Sequence, residues 1–209
     1  MKKLKKIGAA VIAGVLCIHG AAFAASYNRE AEELNKLGLF LGTENGFELE
    51  SPFTRAQGAT MLVRILGKED EALSQPGQGI FEDVPDGDWS EPYVEYCFRN
   101  GITKGTGEKT FSPEEPMSGG EYITLVLRAL GYQYAEPENA DLPAAEYGLL
   151  SSVTARGLVT VKQLERDRMV YISHRALRVK MPDGRRLIEK LIDEKAVDGA
   201  VAKSLGLLD

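Results

Sequence analysis

Three stretches of this chain share one pattern, and that pattern limits the fold more than any other feature. Each stretch opens with a short polar segment, continues with apolar residues at helical spacing, and has an arginine two residues before its end. The stretches are FTRAQGATMLVRIL (53–66), MSGGEYITLVLRAL (117–130) and LERDRMVYISHRAL (164–177). A pattern that returns in this way indicates an internal repeat, in which each copy is one structural unit.

A glycine followed by leucine or isoleucine precedes each stretch at nearly the same distance. These glycines are Gly38, Gly101 and Gly148, and the third residues of the stretches are Arg55, Gly119 and Arg166, which gives distances of 17, 18 and 18 residues. Glycine after an amphipathic segment is a common helix end. Each unit is therefore predicted to hold a helix, a loop and a second helix. The repeats are placed at about 27–67, 80–131 and 139–197.

The repeats predict a mainly α fold with short β segments in the loops. In the first unit Ala59, Leu62, Val63 and Leu66 fall on one face of a helix, and the other units repeat this apolar stripe. A single unit of this size cannot bury its apolar face alone, whereas three packed units can. We therefore expect one domain over residues 25–209.

The first 24 residues have the features of a secretory signal peptide. A basic MKKLKK segment precedes an apolar run, and AFA, ending at Ala24, is a small-residue cleavage site. Removing its four lysines changes the net charge from −6 to −10. An acidic exported chain of this kind is not expected to bind nucleic acid. The chain is therefore predicted to be secreted, and no transmembrane segment is expected after cleavage.

The composition offers little material for catalysis or metal binding. The whole chain has two histidines and two cysteines, and the residues of these types that follow the predicted cleavage site are Cys97 and His174. Metal sites built from cysteine and histidine need more ligands than this, and no nucleophile or phosphate-binding motif is present. We therefore expect no enzymatic activity, no cofactor and no metal.

The segment TRAQ (54–57) has the form of a capping box. The hydroxyl group of Thr54 can accept a hydrogen bond from the amide of Gln57, whose side chain can reach back to the amide of Thr54. Capping does not explain Arg55, because a cation in the first helical turn is slightly unfavourable against the helix dipole. An arginine beside free helix amides would bind a carboxylate or phosphate, so the pattern favours a functional residue over an ordinary surface arginine. Ser118 begins the equivalent segment SGGE.

These phrases together resemble the S-layer homology family. The resemblance rests on LGLFLGTENGFEL, TRAQGATMLVRILG, FEDVPDGDW, YITLVLRALGY and the more divergent third stretch. It covers about residues 27 to 197, and it implies a location at the cell wall or cell surface of a Gram-positive-type envelope. The resemblance implies a helical domain with pseudo-threefold symmetry, whose grooves bind secondary cell-wall polysaccharide that often carries pyruvate ketals on amino sugars.

The resemblance also implies which residues bind the polymer. Arg55 matches the arginine that meets the acidic sugar, Arg166 matches it in the third unit, and Gly119 replaces it in the second, so one or two working grooves are expected. Ser118 and nearby amides remain able to bind a neutral hydroxyl group. The predicted polymer-binding residues are Thr54, Arg55, Gln57, Arg166, Gly38, Gly101, Gly148, Trp89 and Ser118.

Two questions remain open from the sequence. Trp89 is as compatible with stacking on a sugar as with framing the interface between units. The domain as a whole is predicted to anchor to the wall polysaccharide, but it could instead be an envelope adaptor that binds another surface protein. A wall-polysaccharide hydrolase is a remote alternative.

Overall fold

The computed structural model describes residues 27–133 and 135–208. The predicted signal peptide lies outside these residues. The described part is mainly helical, as the sequence predicted, with ten α-helices and one 3-10 helix at Pro137–Asn139. The helices are α1 (Asn28–Lys36), α2 (Arg55–Ile65), α3 (Glu69–Ser74), α4 (Glu91–Arg99), α5 (Gly119–Ala129), α6 (Asp141–Glu146), α7 (Ser152–Val159), α8 (Arg166–Ala176), α9 (Leu187–Asp193) and α10 (Gly199–Ser204).

The three repeated stretches form α2, α5 and α8, which each have eleven residues. Thr54 and Ser118 cap α2 and α5 through the predicted capping boxes. The predicted apolar stripe of α2 is buried, and Leu62 and Val63 are fully inaccessible to solvent. These helices therefore supply the centre of a single hydrophobic core.

A closed ring of backbone hydrogen bonds joins the residues that precede the caps. The amide of Phe53 donates to the carbonyl of Leu164 (3.0 Å), the amide of Leu164 donates to that of Met117 (2.8 Å), and the amide of Met117 donates to that of Phe53 (2.9 Å). All three side chains are buried. The ring gives the three helix starts an approximate threefold relation.

The other helices pack around this centre. Helix α1 lies against α8, α4 against α2, and both α6 and α7 against α5. One link between α1 and α8 is polar, since Nε2 of His174 lies 2.6 Å from a carboxylate oxygen of Glu33. The single described cysteine, Cys97, is buried, as expected for a packing residue.

Three details differ from the sequence interpretation or refine it. The β structure in the loops of the described residues is limited to isolated bridges, such as the one between Thr43 and Gly46. Helix α3 lies in a segment interpreted as a linker, and α7 lies in a segment interpreted as a loop. Within 27–133 and 135–208, no helix has the length and apolar character needed to span a membrane.

Candidate polysaccharide-binding grooves

The three predicted site glycines are structural residues at helix ends. Gly38, Gly101 and Gly148 follow α1, α4 and α6 with φ angles of 73°, 68° and 72°. The left-handed conformation favours glycine because it has no Cβ. In the described structure their amides bond back to the preceding helical turn, and other residues line the grooves.

Arg166, Gln57 and Trp89 are brought together in one groove. It has a volume of about 310 Å³ and lies between the start of α8, one side of α2 and the residues before α4. We call it the Arg166 groove, and its polar and aromatic lining includes Gln57, Thr60, Arg64, Trp89, Tyr93 and Arg166. Trp89 is 53% exposed, so its position agrees with the interpretation that it lies at a groove edge.

Arg166 is enclosed by the groove but has few partners. Its side chain is 14% exposed, and the carboxylate of Glu48 lies 3.6 Å from its Nη1. Among the described residues its guanidinium donates no hydrogen bond. Gln57 uses its side-chain oxygen to accept from the amide of Thr54 (3.3 Å), which leaves its amide nitrogen as a further donor. Two donor groups therefore face this cavity.

A second arginine, Arg64, lies in the last turn of α2 and lines the same groove. It binds a carboxylate oxygen of Glu69 through Nε (2.9 Å) and Nη2 (2.8 Å), and the hydroxyl group of Tyr93 donates to the same oxygen (2.7 Å). The guanidinium also lies 5.9 Å from the centre of the Tyr93 ring. Arg64 is thus held in place in the groove, with its charge paired with the carboxylate of Glu69.

Arg55 lies in a second and smaller groove of about 150 Å³ between α2 and α5. We call it the Arg55 groove, and its charged lining is Arg55, Lys104, Glu121, Arg128 and Glu136. Arg55 is a predicted polymer-binding residue, but its side chain is only 6% exposed. Its Nη1 lies 2.6 Å from Glu121, its Nε donates to the carbonyl of Phe111 (2.8 Å), and its guanidinium lies 5.0 Å from the Phe111 ring.

Burial lowers the pKa of the Arg55 guanidinium, while the carboxylates of Glu121 and Asp83 act in the opposite direction. An arginine starts from so high a pKa that it keeps its charge in proteins. The buried cation is therefore balanced from within the fold. Arg55 joins two units of the domain, and its donors already have acceptors.

The expectation of free amides at the helix starts is also wrong. The amides of Arg55 and Ala56 donate to the carbonyls of Glu115 (3.0 Å) and Pro113 (2.9 Å). At α8 the amide of Arg166 donates to Ser51 (3.0 Å), and the next amide is occupied in the same way. Loop carbonyls of the neighbouring unit satisfy these donors, so the arginine side chains, not the helix amides, must meet an anion.

Gly119 holds the position in the second unit that corresponds to Arg55 and Arg166, and neighbouring residues of the chain fill the space beside it. Helix α7 packs there, the Gly119 amide donates to the carbonyl of Val161 (2.9 Å), and a Cβ at Gly119 would overlap the carbonyl oxygen of Leu158. Ser118 does not remain available to a sugar hydroxyl, because its hydroxyl group donates to Glu121 (2.7 Å) and caps α5.

Sequence reasoning missed Arg64, Arg128 and Glu121 as groove residues. The signal for Arg64 and Arg128 was present, because each lies nine residues after the third residue of its stretch. Arg128 donates to the carbonyl of Ala135 (2.9 Å) and to Glu136 (3.1 Å). The importance of Glu121 depends on its contact with Arg55, which is 66 residues away, and no local pattern reveals such a contact.

Comparison with known proteins identifies the family. Residues 80–123 match the family described as S-layer homology domain. The chain contains an S-layer homology domain. The matched residues run from the segment before Trp89 into α5, and include Lys104 and Glu121.

Individual relatives match more of the chain than the family does. It is 33% identical to "Surface layer protein" of Brevibacillus choshinensis over 63% of the chain, and 30% identical to "Middle cell wall protein" of Brevibacillus brevis over 62%. It is 30% identical to "Cell surface protein" of Thermoanaerobacter kivui over 94%. The matches span 13% of each Brevibacillus protein and 28% of the Thermoanaerobacter protein. They support the predicted location at the cell wall or cell surface.

The packing of α7 against Gly119 gives a stability prediction. Gly119→Ala is expected to lower the free energy of unfolding by about 1–3 kcal/mol, because the added methyl group displaces the backbone of α7. Urea unfolding monitored by circular dichroism measures this change. Gly184→Ala is a size-matched control with open space around its Cβ but a positive φ, and it should cost less. Equal stability of Gly119→Ala and the wild type would mean that α7 does not fill this position.

The cap of α2 gives a second prediction. Thr54→Ala is expected to lower the free energy of unfolding by about 0.5–2 kcal/mol, because the Gln57 amide loses the hydroxyl acceptor that it contacts at 3.4 Å. Thr54→Ser keeps that acceptor and should remain within about 0.5 kcal/mol of the wild type. If both variants unfold at the same urea concentration, the hydroxyl group does not stabilise the helix.

Proposed function

We propose that this chain is a non-covalent cell-wall anchoring module that binds an anionic secondary cell-wall polysaccharide through the Arg166 groove. The observation that carries the proposal is the guanidinium of Arg166, enclosed in a cavity of about 310 Å³ and without a hydrogen bond to a described residue. A largely buried hydrogen-bond donor without an acceptor favours binding of a ligand group that supplies an acceptor. The family match and the surface-protein relatives support anchoring as the purpose of that binding.

The chemistry of the groove suits an acidic sugar. A guanidinium presents several donors in one plane and binds a carboxylate in bidentate fashion. The amide nitrogen of Gln57 adds a neutral donor, and the exposed face of Trp89 gives an apolar surface for the sugar ring. A pyruvate ketal on an amino sugar combines a carboxylate with such a ring, and we propose it as the group that is bound.

The charge of the whole chain makes this local arrangement important. The formal net charge is −6, so long-range attraction does not bring a polyanion to the protein. The affinity must come from contacts inside the groove, where Arg64 and Arg166 are the charged lining residues. The proposal includes no enzymatic step, and the chain is proposed to act by binding alone.

Sedimentation with purified sacculi tests the proposal. The wall should be one that carries pyruvylated polymer, compared before and after chemical removal of that polymer. The wild-type protein should sediment with the intact wall and stay in solution with the stripped wall. Equal sedimentation with both walls would contradict the proposal.

The same experiment examines the adaptor alternative. Binding that needs wall proteins but not the polymer would favour an adaptor that contacts another surface protein. The first surface to examine would then be the one that exposes Leu142 and Val153, which are 65% and 86% exposed. Release of soluble sugar from the polymer by stoichiometric protein would instead favour the hydrolase.

A further inference from the structure

A cavity separate from both arginine grooves lies beside helix α6. It has a volume of about 600 Å³ and is lined by residues that follow α5, by the 3-10 helix and α6, and by Pro182. We call it the tyrosine cavity, because Tyr132 and Tyr147 supply its aromatic lining. It shares no lining residue with the Arg166 groove or the Arg55 groove. Its volume lies within the range of about 300–1,000 Å³ that is usual for small-ligand sites.

The two tyrosine rings form a fixed flat surface. Their centres are 3.7 Å apart and their planes differ by 6°. The hydroxyl group of Tyr132 donates to the carbonyl of Lys180 (2.5 Å), and Tyr147 is the C-cap residue of α6. Both tyrosines are half-buried, whereas the aromatic pair of Phe53 and Tyr122 is enclosed in the core. The stack therefore presents aromatic carbon to the cavity in an orientation that is set before a ligand arrives.

The polar lining offers hydrogen bonds without positive charge. Gln133, Asn139 and Glu146 line the cavity and are exposed. Gln133 donates through Nε2 to the carbonyl of Arg128 (3.1 Å), and the three side chains form no other hydrogen bond with a described residue. Of the residues that the structure describes, no lysine or arginine lines this cavity. An anionic ligand would meet the carboxylate of Glu146 without a cation to balance it.

We propose that the tyrosine cavity binds an uncharged sugar ring. The apolar face of a pyranose can lie on an aromatic ring. Its hydroxyl groups donate to a carboxylate, and they both donate to and accept from side-chain amides. The tyrosine stack and the three polar side chains place both kinds of surface around one cavity. This site goes beyond the proposed function, because its ligand has no charge and none of its residues line the Arg166 groove.

The site would act as a second contact on a polysaccharide. A polysaccharide offers uncharged rings wherever it lacks an acidic substituent. One stacked ring alone gives a weak complex. Once the Arg166 groove holds the polymer, however, the neighbouring sugars are present at a high effective concentration, so a second contact raises the overall affinity.

A second copy of the chain is the competing occupant of this cavity. Leu142 lines it and is 65% exposed, as a residue at a contact between copies would be. Covering the cavity with protein would, however, desolvate the carboxylate of Glu146 and two side-chain amides, which is costly without new hydrogen bonds. We therefore expect sedimentation velocity to show a monomer. A wild-type dimer that dissociates in Leu142→Ser would overturn the inference.

Two-dimensional NMR of the amide and indole groups locates the site. The probe is the tetramer of N-acetylglucosamine, which is an uncharged pyranose chain. Saturable shifts should fall on the amides of residues 131–133 and 139–147, while the indole signal of Trp89 stays in place. The absence of saturable shifts, or shifts centred on Trp89, would overturn the inference.

Substitutions in the cavity separate stacking from general apolar contact. Tyr147→Leu keeps an apolar side chain without the flat ring and should weaken tetramer binding by about 10-fold or more, whereas Tyr147→Phe should bind within about twofold of the wild type. Glu146→Ala should weaken it about 3- to 10-fold. Glu138→Ala is the matched control, because Glu138 is exposed on the 3-10 helix but does not line the cavity. Wild-type affinity in Tyr147→Leu would overturn the inference. If that variant does not fold, equal affinities of Glu146→Ala and Glu138→Ala overturn it.

Arg166→Ala distinguishes this inference from the proposed function. It should lose binding of a pyruvate-ketal N-acetylhexosamine and keep binding of the neutral tetramer, and Tyr147→Leu should show the reverse. Loss of tetramer binding in Arg166→Ala would overturn the inference, because both sugars would then occupy the Arg166 groove. Tetramer binding in a wild type that does not bind the acidic sugar would contradict the proposed function and support the inference.

Discussion

Replacing Arg55 with alanine is expected to lower the free energy of unfolding by about 2–4 kcal/mol. The side chain is 6% exposed and joins two units through Glu121 and the carbonyl of Phe111. Removing one partner of a buried ion pair typically costs about 3–5 kcal/mol, because the other charge is left unpaired. Glu121 is 32% exposed, so solvent reduces this cost.

Urea unfolding measures the effect, and a double substitution separates its causes. Arg55→Met with Glu121→Gln removes both charges while keeping most of the side-chain volume, and should recover part of the lost stability. Arg55→Ala should change affinity for wall polysaccharide little in the protein that remains folded, since Arg55 already pairs with Glu121 and donates to the carbonyl of Phe111. Unchanged stability together with lost binding would show that Arg55 is a ligand-binding residue, as the sequence alone suggested.

Replacing Arg166 with alanine is expected to have the opposite profile. Affinity for the acidic polysaccharide should fall about 10- to 150-fold, the equivalent of a lost charge-assisted contact of about 1.5–3 kcal/mol. Stability should change little, because the guanidinium donates no hydrogen bond to any residue that the structure describes, and the charged partner found among those residues is Glu48, at 3.6 Å. Quantitative sedimentation with intact sacculi gives the affinity.

Two further variants control this measurement. Arg156→Ala removes an arginine that is 78% exposed on α7 and should bind like the wild type. Arg166→Lys keeps the charge without the planar donors and should bind with intermediate affinity. Equal loss of binding in Arg156→Ala and Arg166→Ala would indicate a general charge effect and not a specific groove.

The sequence predicted the features that depend on local pattern. The capping boxes at Thr54 and Ser118 begin α2 and α5 as expected, because both the polar cap and the apolar stripe lie within a few residues of each other. The mainly α fold followed from the same stripes. Trp89 lines the Arg166 groove and is exposed, and its stacking on a sugar remains a prediction.

The sequence did not predict which arginine is available. Arg55 stands in the better match to the repeated motif, whereas the guanidinium without a hydrogen bond to a described residue belongs to Arg166. Arg55 is paired at 2.6 Å with Glu121, which lies on a different unit. Such long-range contacts depend on how the units pack, and the packing also fills the third position with α7. The residues of α7 lack a clear apolar stripe, so the sequence did not predict this helix.

The fluorescence of Trp89 tests the central claim most directly. The chain has one tryptophan, and that residue is 53% exposed in the Arg166 groove, so its emission reports on this groove alone. Titration with the pyruvate-ketal N-acetylhexosamine should give a saturable blue shift as the sugar covers the indole. The sugar without the ketal, and the Arg166→Ala variant, should give none. An unchanged spectrum in the wild type, or the same shift in Arg166→Ala, would contradict the claim that Arg166 binds the acidic sugar in this groove.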